Sequence, residues 1–158
     1  PKYDPRPDTF GTIDEATSAL GLARATSNDP KVKEIIYQIQ QELYLLMGEL
    51  ATPPENYEKM GLRMTVEHVQ HLEQIEEALK QEVEIPNKFI IPGDTLAGAA
   101  LDLARTIIRR AERMAVKLLH DGVIANLEVV RYLNRLSDLI FIVARYVEVK
   151  SSMAELPK

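Results

Sequence analysis

Ile35, Ile36, Ile39, Leu43, Leu46, Met47 and Leu50 recur at three- and four-residue steps between Asp29-Pro30 and Pro53-Pro54. That spacing draws an apolar stripe along one side of a helix and is incompatible with the two-residue alternation of a half-buried strand. The ends agree with it. Asp29 is an N-cap residue, Pro30 suits the first helical position, and the proline pair stops the helix. Such a stripe has to be covered, and the rest of the chain supplies further helices. A first helix is expected from Thr12, which forms a capping box with Glu15, to just before Asn28. A third runs from about Thr65 to Val83, carried by Val66, Val69, Leu72, Ile75 and Leu79. A fourth runs from about Thr95 to His120 and stops at Asp121-Gly122, and a fifth from about Asn126 to Val149. The loop Glu84 to Pro92 separates the third from the fourth, and no stretch alternates like a strand. The expectation is an all-α, five-helix antiparallel bundle. It forms one domain over residues 1–158, with 1–11 an N-terminal extension and 150–158 a frayed tail.

Charge and composition remove several functions. A formal net charge of −5 argues against a general nucleic-acid or anionic-membrane binder, so neither is an expected partner. The chain holds no cysteine, which excludes a disulfide framework, a thiolate metal site and a cysteine nucleophile, and permits a reducing compartment. Its longest apolar run, Leu139 to Ala144, is far short of the roughly 20 residues that span a bilayer. No secretory signal is present, and the expected location is cytoplasmic. That apolar run leaves half of the fifth helix greasy nearly all round, which points to an oligomer interface; a central helix in a monomer is the alternative. Ala97, Gly98, Ala99, Ala100, Ala104 and Ala111 on the fourth helix are small enough for another backbone to come close.

Against the acidic background, Arg105, Arg109, Arg110 and Arg113 crowd into nine residues. Arg105, Arg109 and Arg113 share one helix face, with Glu112 beside them. Guanidinium groups so arranged repel one another unless an anion or facing carboxylates neutralise them, and arginine is well shaped to grip phosphate oxygens. Two readings stay open: a phosphate site, or a solvated face with intrahelical Glu112–Arg pairs worth only about 0.5 kcal/mol each. Asp14-Glu15 reads first as acidic residues favoured by a helix dipole, and second as carboxylates that orient an arginine or hold magnesium. Phe89 reads as a packing aromatic, and Asp94-Thr95 as cap material. Asn134, Arg135, Ser137 and Asp138 interrupt the fifth helix, and inter-helix hydrogen bonding is expected for Ser137 and Asp138. His68, His71 and His120 form no ligand set and read as surface residues. No Walker loop, Gly-x-Gly-x-x-Gly or Gly-x-Ser-x-Gly motif occurs.

Three segments, in order, resemble one family. Gly11-Thr12-Ile13-Asp14-Glu15 with Ser18 and Gly21-Leu22-Ala23 resembles the opening helix of PduO-type ATP:corrinoid adenosyltransferases. Phe89-Ile90-Ile91-Pro92-Gly93, followed by Ala104-Arg105-Thr106 and Arg109-Arg110-Ala111-Glu112-Arg113, is similar to the central motif. Tyr132-Leu133-Asn134-Arg135-Leu136-Ser137-Asp138 is similar to the third. The match covers about Asp4 to Val147. The resemblance implies a ferritin-like five-helix bundle assembled as a homotrimer with active sites between subunits. It implies transfer of the 5′-deoxyadenosyl group of ATP to the cobalt of a reduced (Co(I)) corrinoid, with Mg²⁺, releasing triphosphate and making adenosylcobalamin. By the same resemblance, Arg105 pairs across the interface with Asp14, Arg109 and Arg113 hold the polyphosphate, and Asn134 holds ATP. Glu112 orients the arginines, and Phe89 presses on the lower face of the corrin. No protein nucleophile is needed, because Co(I) is one already.

The chain departs from the family pattern in places. The family's Lys-x-Gly-Asp-x-Gly-x-Thr type segment, which wraps ATP, has no counterpart among these residues. Thr17 stands at a usual asparagine, Asp94 at a usual glycine and Asp102 at a usual histidine. These departures leave a second reading, a divergent non-catalytic relative that binds or delivers corrinoid or binds ATP.

Overall fold

The computed structural model describes residues 4–154. Five long helices carry the fold: α1 (Pro5–Thr26), α2 (Pro30–Ala51), α4 (Val66–Glu82), α5 (Leu96–His120) and α6 (Leu127–Ala154). A single 3₁₀ turn (Pro54–Asn56) and the four-residue α3 (Tyr57–Met60) interrupt the α2–α4 connection. Among the described residues there is no strand.

Most boundaries follow local chemistry. Asp29 caps α2 by accepting from the Lys31 amide at 2.8 Å, ahead of Pro30. Thr95 caps α5 by accepting from Gly98 N at 3.0 Å. The start of α1 corrects the expectation of an extension over 1–11. The helix begins at Pro5, capped by Asp4, which accepts from the Arg6 amide at 2.9 Å. Thr12 lies inside that helix, its hydroxyl bonded back to Asp8 O at 2.8 Å, so the Thr12–Glu15 pattern is no cap. At the other end α6 runs to Ala154, past the expected fraying at 150; residues 155–158 of the expected tail lie outside the described residues.

Successive long helices alternate in direction. α5 packs on α1 and α6, α2 packs on α1 and α6, and α4 lies on α6. Side-chain pairs give the sense: Glu15–Arg110 and Thr12–Met114 run α1 against α5, and Glu112–Asn134 and Asp102–Arg145 run α5 against α6. Glu73–Arg135 and Glu82–Tyr146 set α4 parallel to α6. α6 is therefore central. Leu139, Ile140, Val143 and Ala144 are fully buried within one chain. This corrects the argument for a subunit seam: the all-round apolar stretch of α6 is accounted for by the helices of its own chain. The small residues of α5 serve the same packing, since Ala100, Ala104 and Ala111 are buried in the core.

Candidate active site

The arginines of α5 divide by depth, because α5 turns one side to the core and the other to solvent. Arg109, Arg110 and Arg113 are exposed, whereas Arg105 is half-buried. Arg110 forms an ion pair with Glu15 of α1. Arg113 donates through Nη1 to the carbonyl of Arg109 at 3.0 Å. Arg109 has no ion-pair partner among the described residues. Two neighbouring cations that form no ion pair among the described residues favour an incoming anion.

Arg109, Glu112, Arg113, Val116 and Asn134 line one cleft of about 440 Å³ between α5 and α6. Glu112 faces α6, and its Oε1 accepts from Asn134 Nδ2 at 2.9 Å. Its hydrogen bond thus comes from Asn134, which leaves Arg109 its donors for a ligand and Arg113 all but the Nη1 donor given to Arg109 O. The structure brings together four residues named from sequence. It does not bring together Asp14 and Arg105 within the chain: Asp14 is exposed, and the carboxylate near Arg105 is Asp102, 4.0 Å from Nε. The open reading of Asp14-Glu15 resolves in part, since Glu15 does engage an arginine.

Phe89 corrects the packing reading. It is 93 % exposed, on the loop leading into α5, with Ile91 and Leu96 also exposed. A large aromatic side chain held in water is costly unless something covers it. Ser137 and Asp138 make none of the expected inter-helix hydrogen bonds. Ser137 Oγ donates to Asn134 O on its own helix at 2.9 Å, and exposed Asp138 lies 4.0 Å from Arg135. Arg135 is the side chain that reaches across, to Glu73 of α4 at 3.1 Å. Of the histidines only His120 is exposed. Half-buried His68 accepts from the Thr65 amide at 3.1 Å and holds the α4 N-terminus, and His71 Nδ1 lies 2.6 Å from Glu42.

Sequence patterning missed the buried polar groups. Asp102 is 4 % exposed and Arg145 is 1 % exposed; they pair at 2.5 Å between α5 and α6. Glu148 lies on the other side of Arg145, and burial raises its carboxyl above the usual range. Glu42 accepts from Tyr132 Oη at 2.6 Å; burial first, and Glu42 second, push that phenol well above its usual range. The available signal was the single arginine that directly follows the apolar run Leu139 to Ala144, which demands a facing carboxylate. The fold also changes the meaning of one departure: the charge of Asp102 is spent on Arg145 and does not line the arginine cleft.

Among the described residues no group of three or more His, Asp or Glu side chains is arranged to hold a metal, and no helix is long and apolar enough to cross a membrane. The architecture is a helical bundle presenting a cation-lined cleft and an uncovered aromatic loop, a class suited to an anionic ligand with an apolar companion. The comparisons narrow that class. The profile of the cobalamin adenosyltransferase family matches residues 1–147, and the chain belongs to that family. Its relatives include the corrinoid adenosyltransferase of Mycobacterium leprae, 38% identical over 91% of this chain and 78% of its own length. That of Bacillus subtilis is 39% identical over 96% and 78%. Similar solved structures include variants of a PduO-type ATP:corrinoid adenosyltransferase from Lactobacillus reuteri. One, complexed with cobalamin and ATP, aligns with a TM-score of 0.83 at 35% identity, covering 96% of this chain and 84% of that one. The other, complexed with ATP, gives 0.85 at 34%, covering 96% and 85%.

Proposed function

We propose that this chain is an ATP:corrinoid adenosyltransferase. It moves the 5′-deoxyadenosyl group of ATP to the cobalt of a reduced corrinoid and releases triphosphate. The observation that carries the reading is the joint one: a family match over residues 1–147 in a chain whose cleft unites Arg109, Glu112, Arg113 and Asn134. In this reading the electron pair of Co(I) forms the cobalt–carbon bond as the C5′–O bond breaks, so cobalt is oxidised to Co(III) and the electrons stay in the product. The protein supplies no nucleophile. Its work is to hold C5′ against cobalt and to stabilise charge on the leaving triphosphate. Arg109 and Arg113 receive the phosphates, Asn134 holds the nucleotide, and Glu112 keeps Asn134 in place. Phe89 covers the lower corrin face, which accounts for its exposure in the free chain.

The active assembly is a homotrimer in the cytoplasm, with Asp14 of one copy meeting Arg105 of another. Exposed Leu103 and Val116, beside the arginines on the outer face of α5, support that seam. The described side chains form no cage for magnesium. The ion would come bound to the triphosphate, as it does where few protein carboxylates are offered.

The test is direct. Incubated with ATP, Mg²⁺ and chemically reduced cobalamin, the protein should produce the absorbance change of a new cobalt–carbon bond and release one triphosphate per adenosyl group. Binding of both substrates without that product would contradict the proposal.

A further inference from the structure

Arg145 lies at the centre of a charge cluster that the cleft does not include. Its Nη2 donates to Asp102 Oδ2 at 2.5 Å and to Glu148 Oε1 at 3.1 Å. Its Nε is 3.0 Å from Glu148 Oε2 but poorly aligned, so that contact is ionic and not a hydrogen bond. One carboxylate would neutralise Arg145, and it has two. The surplus negative charge is matched one helical turn along α5 by Arg105, on the same face as Asp102. The Nε of Arg105 is buried without a hydrogen-bond partner among the described residues, and Asp102 Oδ1 is 4.0 Å away. Both guanidinium groups also flank Phe141, at 6.0 Å for Arg105 and 5.2 Å for Arg145. Two cations sharing one ring need a carboxylate between them, and Asp102 occupies that place.

We propose that Asp102 is a positioning residue for Arg105, and that Arg145 is its anchor. With Oδ2 held by Arg145, the carboxylate is restrained, and Oδ1 faces the buried Nε end of Arg105 at 4.0 Å, a charge contact without a hydrogen bond. That sets the direction in which the rest of the guanidinium faces. Arg145 thus acts on Arg105 through Asp102, without touching a ligand. The inference rests on the proposed intersubunit site, in which Arg105 meets Asp14 of another copy.

Asp102→Asn keeps the shape and removes the charge. With ATP and reduced cobalamin, kcat should fall about tenfold or more, since misaiming a charged group costs on that order, while the KM for ATP stays within about twofold. In an Arg105→Ala background the same substitution should change kcat by less than about twofold, because the two residues act as one unit. Equal falls in both backgrounds would overturn the proposal and leave Asp102 a core residue only. If Asp102→Asn does not fold, the Nε–Hε resonance of Arg105 in the wild-type chain, assigned by its loss in Arg105→Ala, reads the contact. It should exchange with water several-fold faster in Arg145→Lys, which loosens the hold on Asp102 Oδ2, than in the wild type. Equal exchange in the two would overturn the proposal. A wild-type chain without turnover would count against the enzymatic assignment instead, and the exchange measurement would still judge the contact.

Discussion

Arg109 and Arg145 show how little a residue type says before its surroundings are known. Arg109 stands in water without an ion-pair partner among the described residues, whereas Arg145 is 1 % exposed between two carboxylates. The first was legible because the four-residue recurrence of Arg105, Arg109 and Arg113 is a local pattern. The second was not, because Asp102 and Arg145 are far apart in the chain and meet only when α5 packs on α6. Phe89 was misread for a related reason: a loop aromatic usually packs, and nothing local says that this one is left uncovered. A buried phenol gives a prediction at this scale. Tyr146, 3 % exposed, donates to Glu82 at 3.0 Å, and burial with that bond pushes it from 10.0 up to about 12. The folded state therefore favours the neutral phenol. Its contribution is complete below pH 10 and is lost as pH rises towards 12. Tyr146→Phe should cost about 1 kcal/mol near neutral pH, and urea titrations should show the gap from wild type shrinking across that alkaline range. A constant gap would contradict the assignment.

At the scale of the helices, apolar spacing alone located α4, and cap and stop residues located α2 and α5 from the sequence, because those signals act over a few residues. They failed at α1, where Thr12 and Glu15 imitate a capping box from inside a helix that Asp4 begins. The core stripe of α2, from Ile35 to Leu50, was enough to define an all-α fold; the short α3 has no stripe and no side-chain cap to reveal it. The small-residue face of α5 carries a testable cost. A Cβ on Gly98 would lie 2.7 Å from Thr95 Oγ1 and 3.0 Å from Glu148 Oε1. Gly98→Ala gains up to about 1 kcal/mol of helix propensity. Against that stand the strained cap, worth about 1 kcal/mol, and overpacking of about 1–3 kcal/mol. The second side wins, and denaturant unfolding should show a loss of about 1 kcal/mol or more. A gain in stability would mean that Thr95 and Glu148 move aside freely.

The whole molecule was legible in its class and directions, up-down-up-down-up, and less so in its assembly. The apolar length of α6 suggested a neighbouring copy, yet its own chain covers it. The surfaces that do invite a partner are elsewhere: Phe89, Ile91 and Leu96 ahead of the cleft, and Leu103 and Val116 along the outer face of α5. Single hydrophobic residues scattered over a sequence do not announce that they will share a face with a row of arginines; the turn of one helix decides it. The account depends on that row receiving the phosphates of ATP. Calorimetric titration of ATP into the wild-type protein and into Arg109→Ala is the most direct measurement. Losing one charge-assisted phosphate contact should weaken binding by about 10- to 100-fold with the fold intact by circular dichroism. Equal affinity in the two proteins would contradict the account.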